Sequence, residues 1–177
     1  MMKRYFSALT LFSFLLLFST TYASTSLVPR NSVWKYLQDG TDQGTAWQSS
    51  NYDDSTWNSG LLPAIASSPN QNSVTTYLRK TFVANDTSSF ISLRLNAPPD
   101  AGLVAYLNGK EIYRANMPTG PINYRTQALP YDPASVNRDL GTSLIKPSAL
   151  QNGNNTLAVE IHSQSPNLDL ALTASNT

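Results

Sequence analysis

His162 is the sole histidine of the 177-residue chain, and it follows Glu160 by two positions in the run NTLAVEIHS. An imidazole beside a carboxylate is the pairing used for general-base and triad chemistry. A Ser-His-Asp triad would have to use His162, yet no G-x-S-x-G stretch supplies a nucleophile elbow. One histidine cannot make a histidine-cluster metal site, and the absence of cysteine removes thiolate ligands and thiol nucleophiles. Glycoside hydrolysis needs two carboxyl groups held about 5–10 Å apart across a cleft. Asp53 and Asp54 are adjacent instead, and in YDDSTW they read as turn formers and caps of a short helical turn. These residues describe a chain that is not an enzyme, with His162 as a satisfied sheet residue.

Binding chemistry has better material. A sugar offers an apolar ring face and a rim of hydroxyls, which a flat aromatic and a few amides, carboxylates or guanidiniums can match. The segment 113–138 holds Tyr113, Arg114, Asn116, Asn123, Tyr124, Arg125, Tyr131, Asp132 and Arg138. These nine residues form the expected ligand surface. Prolines at 118, 121, 130 and 133 stiffen the segment and reduce the ordering entropy that opposes binding. Trp34, Trp47 and Trp57 cluster in the N-terminal part and are assigned to packing.

The elements that must position these groups are strands. After residue 30, short β-branched and aromatic runs alternate with clusters of Gly, Pro, Asn, Asp and Ser, the pattern of an all-β sandwich. TTYLRKTFVA is one such run. In FISLRLNA, the period of two sends Ile91, Leu93 and Leu95 to a core and Ser92, Arg94 and Asn96 away from it. LVAYL, residues 103–107, is apolar on both faces and should lie inside a sheet. In NTLAVEIHS, Leu157, Val159 and Ile161 share one face, and Ala158, Glu160 and His162 the other. LDLALT reads as a closing strand. Asn108-Gly109 between two strand-like runs predicts a type I′ hairpin turn, because both of its central positions need positive φ. Segments 45–73 and 115–143 show little alternation. Loops of that length either carry function or drape over the core.

The first 23 residues have the three parts of a secretory leader. Lys3 and Arg4 supply positive charge, Ala8 to Phe18 an apolar run, and Thr21-Tyr22-Ala23 small residues at a cleavage site. The apolar run is shorter than the ~20 residues that span a bilayer. Residues 1–23 are therefore expected to be removed on export, 24–32 to form an N-terminal extension, and 33–177 to form the sandwich. The destination would be the extracellular space or a periplasm, with no membrane span after cleavage. The whole chain carries a net charge of +1, and without Lys3 and Arg4 of the leader it is −1, which excludes the basic footprint of a nucleic-acid binder. Asn85 and Asn154 sit in N-x-T triplets, which act as acceptors only in a eukaryotic secretory route.

Four stretches occur in order: TAWQSSNYDDSTWNSG, TTYLRKTF, GLVAYLNGKEIYRANMPTG and LQNGNNTLAVEIHS. Together they resemble the galactose-binding-like jelly-roll module attached to many bacterial extracellular enzymes. More distantly, they are similar to the sugar-binding domain of family 2 glycoside hydrolases. The resemblance runs over roughly residues 33–173 and implies an antiparallel jelly-roll β-sandwich, all-β in class. Such modules usually carry two acids before the glycine that opens the YLNGK hairpin. Here Pro99-Asp100-Ala101-Gly102 has one. No cofactor is expected, and a structural calcium ion is the one alternative left open. The function implied is a secreted, non-catalytic carbohydrate-binding module with a glycan or polysaccharide partner. The alternative is an exported protein-interaction or structural domain with a protein partner.

Overall fold

The computed structural model describes residues 23–67, 73–98, 100–130, 142–162 and 168–176. Its strands are β1 (Ala23–Val28), β2 (Val33–Leu37), β3 (Asn58–Leu61), β4 (Thr76–Ala84), β5 (Phe90–Asn96), β6 (Leu103–Leu107), β7 (Lys110–Ala115), β8 (Thr142–Ile145), β9 (Gly153–Ile161) and β10 (Ala171–Asn176). A single short helix, α1 (Leu62–Ser67), is the only α-helix among the described residues. All pairings are antiparallel. One sheet has the order β1-β10-β5-β8 and the other β3-β2-β4-β9-β6-β7. The two sheets form the jelly-roll sandwich.

The core between the sheets follows from alternation. Leu157, Val159 and Ile161 of β9 meet Leu93 and Leu95 of β5, and Leu103, Ala105 and Leu107 of β6 lie on the same side. Trp34 is also in this core. Burying each of these large side chains contributes about 1.5–3 kcal/mol. Leu168, Leu170 and Leu172 complete it, although the closing strand begins only at Ala171.

Two expectations differ from the structure. Residues 24–32, placed ahead of the sandwich, carry most of β1, which pairs with β10 at the edge of the smaller sheet. The sequence of β1, ASTSLV, is too polar to announce a strand, since an edge strand has only Leu27 and Val28 to bury. Ile91 is half exposed rather than buried, and Phe90 packs against the core instead. The cause is a register shift where β5 meets the end of β10: Ser92 faces Ser175, but Phe90 faces Asn176. The irregularity exchanges the faces of the first two residues of the strand. The leader residues 1–22 lie outside the described residues.

The hairpin turn has the expected geometry, with φ of 53° at Asn108 and 83° at Gly109. Asn108 does more than tolerate that φ. Its amide donates to Asn155 Oδ1 at 2.8 Å and to the Ala149 carbonyl at 3.2 Å, and it accepts from the Thr156 N–H at 2.9 Å. A Cβ on Gly109 would meet nothing closer than 3.9 Å, so the demand there is conformational rather than steric. Gly109→Val should therefore destabilise the fold by about 1–3 kcal/mol through backbone strain alone. Asn108→Ala, which strips three hydrogen bonds from a half-buried position, should cost a similar ~1–3 kcal/mol. Leu95→Ala should cost about 2–5 kcal/mol by opening a cavity. Chemical denaturation of the three variants checks the ranking. An unchanged Gly109→Val midpoint would contradict the turn.

Candidate functional site

The larger sheet is covered on its outer face as well. Alternation puts Tyr77 and Arg79 of β4, Ala158 and Glu160 of β9, and Val104 and Tyr106 of β6 on that side. Trp47, Trp57 and Met117 pack over them in a second apolar cluster. On β7, the register slips between Ala105 and Tyr106 of its partner, so that Tyr113 faces Ala105 but Glu111 faces Tyr106. Ile112 is the extra residue. Regular alternation would send residues 111 and 114 to opposite faces; the bulge puts both outside. Arg114 then grips Glu111 with two nitrogens at 2.9 and 2.8 Å and donates to the Pro118 carbonyl at 2.9 Å. This bidentate pair holds the Glu111 carboxyl below its ordinary range and raises that of Arg114.

One cover is the 42–57 loop, and buried Arg79 fastens it. Its guanidinium donates to Asp54 Oδ2 at 2.7 Å, to the carbonyls of Trp47 and Ser49, and to Tyr52 O at 3.4 Å. The Tyr52 ring lies 5.3 Å from the guanidinium carbon. Asp53 forms the turn expected of it by accepting from the Ser55 N–H. Asp54 has the larger task of neutralising a charge that is only 2 % exposed. Lys35 adds a bond to the Trp57 carbonyl. Trp47 settles with its ring edge-on to Tyr77 (4.9 Å) and Tyr106 (5.8 Å) and stacked on Trp57.

The other cover is the 116–130 loop, pinned by His162. The Thr126 carbonyl only accepts, so Nδ1 of His162, 2.7 Å away, carries the hydrogen. The Thr75 hydroxyl lies 3.0 Å from the same nitrogen and donates to the Tyr124 carbonyl at 2.8 Å. Nε2 faces Glu160 Oε2 at 3.2 Å. Glu160 Oε1 accepts from the Tyr106 hydroxyl at 2.5 Å. Burial, reinforced by that carboxylate, pushes the Tyr106 phenol far above its ordinary range, and burial raises Tyr77 to about 12.

Between the two covers a cleft of about 450 Å³ remains open. Tyr77, Tyr106 and Glu160 line it from the sheet, Glu111 and Arg114 from β7. Asp42, Thr45 and Gln48 come from one loop, and Ile122, Asn123 and Tyr124 from the other. Among the described residues, no three His, Asp or Glu side chains gather where they could hold a metal ion.

No protein-family model and no curated protein sequence matches this chain. Solved structures do. A β-glycosidase from Bacteroides vulgatus superposes over 87 % of this chain and 20 % of its own, with a TM-score of 0.55 at 18 % identity. A Bacteroides uniformis β-glucuronidase matches over 87 % of this chain and 18 % of its own, with a TM-score of 0.53 at 21 % identity. A glycosyl hydrolase family 2 member from Bacteroides cellulosilyticus covers 86 % and 20 %, with a TM-score of 0.53 at 14 % identity. The fold is an antiparallel jelly-roll β-sandwich. The chain spans about a fifth of the length of each of these enzymes, and at such identities the likeness concerns the fold.

Within this jelly roll, the structure brings Arg114, Asn123 and Tyr124 together in the cleft. Tyr113 points the other way, packing against the inner core, where burial raises its phenol. Asn116 sits at φ 49° and donates to the Ala101 carbonyl, holding the start of the loop. Arg125 stacks on Tyr124, 5.0 Å from the ring centroid, away from the lining. Tyr131, Asp132 and Arg138 lie outside the described residues. Sequence reasoning did not select Asp42, Gln48, Tyr77, Tyr106, Glu111 or Glu160 for a site. The signal for three of them was present: Tyr77, Tyr106 and Glu160 alternate with core residues on three neighbouring strands, so any group on that face had to meet the others.

Two outcomes follow. Arg79→Met leaves Asp54 and several carbonyls without their donor, and should cost about 3–5 kcal/mol and shift Trp47 fluorescence. Asp54→Asn, at a position 24 % exposed, should cost less. A melting temperature unchanged in Arg79→Met would remove the anchor. In alkali, Tyr77 is protonated in the fold up to about 12, against an ordinary value near 10. Its contribution is complete below the unfolded value and is lost as pH rises through the window between the two. Tyrosinate absorbance of Tyr77 should thus lag that of exposed tyrosines and appear with unfolding. Comparison with Tyr77→Phe isolates it.

Proposed function

We propose that this chain is a secreted, non-catalytic carbohydrate-binding module whose ligand occupies the cleft between the 42–57 and 116–130 loops. The observation that carries the reading is the make-up of that cleft. The half-exposed ring of Tyr124 stands beside Asn123, with Gln48 and the fixed carboxylate of Glu160 in the same lining. An aromatic face takes the apolar side of a pyranose, and amides and carboxylates take its hydroxyls, each contributing about 0.5–1.5 kcal/mol net. Tyr106 and His162 fix the two oxygens of Glu160, so a ligand meets an acceptor already oriented.

Binding without turnover is favoured by the same network. The His162 side chain is fully buried under the 116–130 loop, so it has no path to a bound sugar. The Glu111 carboxylate is held by Arg114. Export is supported by the composition of residues 1–23, and no helix among the described residues is long and apolar enough to cross a membrane. A docking role would rest on an exposed apolar patch. The Val33–Leu61 pair on neighbouring strands is small for that purpose.

A glycan-array screen of the chain from Ser24 onward should give carbohydrate hits and no hydrolysis products. Tyr124→Ala and Gln48→Ala should then weaken binding about tenfold together, with little change in melting temperature. Full binding in the double variant would move the site out of this cleft, and turnover that vanishes in His162→Ala would overturn the non-catalytic reading.

A further inference from the structure

We infer that Asp42 sets the charge preference of the cleft: it selects a sugar carrying a protonated amine over its neutral parent and disfavours a uronate. This rests on the carbohydrate reading of the same cleft. Among the described residues, the lining holds three carboxylates, Asp42, Glu111 and Glu160, and one guanidinium, Arg114. Two of the acids are compensated. Glu111 receives two nitrogens of Arg114 at 2.8–2.9 Å, and Glu160 has one oxygen 3.2 Å from His162 Nε2 and the other accepting from the Tyr106 hydroxyl. Asp42 is different. Its Oδ1 accepts from the Gly44 N–H at 2.8 Å, and among the described residues no lysine, arginine or histidine forms an ion pair with it.

Among the described residues, the cleft therefore presents one uncompensated negative charge to its contents. Asp42 is exposed and its loop turn is held by its own side chain, so the carboxylate stands at the rim in a fixed orientation. A 2-amino-2-deoxy sugar can place its ammonium against that oxygen pair. A uronate meets a like charge there, while the one lining guanidinium is already engaged by Glu111. Two unit charges a few ångströms apart in a water-like medium are worth about a fivefold change in affinity. Salt reduces it.

The test is an NMR titration with galactose, galactosamine and galacturonate, and with glucose, glucosamine and glucuronate. The pH is set so that the amines are protonated and the acids ionised. Comparison within each configuration cancels stereochemical preference and leaves charge. In the configuration that binds, the amine should bind about three- to fivefold more tightly than the neutral sugar, and the uronate more weakly by a similar factor. In Asp42→Asn, whose side-chain oxygen can still accept from Gly44, the ranking should collapse to near equality. Equal affinities in the unsubstituted protein, a uronate ranked first, or a ranking that survives Asp42→Asn would each overturn the inference and leave the carbohydrate reading standing. If no neutral, amino or acidic sugar perturbs the cleft signals, the carbohydrate reading falls, and this inference with it.

Discussion

A guanidinium buried on the outer face of a sheet is the constraint around which the rest is arranged. Arg79 has no access to water, so its donors must find acceptors in the protein or carry the full cost of desolvation. It finds them in Asp54 and in carbonyls of the 42–57 loop, groups that an irregular segment has in surplus because no strand neighbour claims them. The charge and the loop are thus mutually dependent. Without the loop the cation is unpaired, and without the cation the loop has little to hold its backbone against a sheet. Trp47 and Trp57 add the apolar contacts that make the arrangement dry.

The opposite cover repeats the principle with weaker groups. His162 and Thr75 offer the carbonyls of the 116–130 loop two donors at the level of the sheet, and Glu160 and Tyr106 close the network behind His162. A sheet with one solvated face would not need these bonds. Covering both faces of β4, β9 and β6 turns a two-layer sandwich into something closer to three layers. The third layer is made of loop, and loops leave gaps where helices or strands would close. The cleft is the gap between the two covers. Its floor is rigid because it is sheet, and its rim is polar because it is loop, a combination suited to a ligand with an apolar face and many hydroxyls.

This division explains why fold and site differ in how far they travel between proteins. The inner core is shared in kind with domains of glycosidases many times longer than this chain, at identities too low to preserve individual contacts. Such a core requires only volume and alternation. The site depends on the bulge at Ile112, the pairing of Arg79 with Asp54, and the lengths of two loops. None of these is a property of the jelly roll as such.

The sequence by itself determined the all-β class, the interior place of β6 in its sheet, the faces of β9, the hairpin turn at Asn108-Gly109 and the exclusion of thiol and histidine-cluster chemistry. Each is a local matter: side-chain direction alternates with period two, positive φ selects Asn and Gly, and composition is a count. The candidate ligand segment was legible in part, because Arg114, Asn123 and Tyr124 stand out as aromatic and polar residues in a long, proline-stiffened connection. Tertiary structure decided what register and distance decide. A one-residue bulge carried Glu111 and Arg114 to the same face, and an irregularity at the end of β5 exchanged Phe90 for Ile91. Contacts across 25 to 32 positions of sequence made Arg79 an anchor, although it reads as an ordinary outward-facing strand residue. Tyr113 and Arg114 are neighbours in the chain and equal as candidates. Only the pleat of a paired strand sends one ring into the core and the other side chain to the cleft.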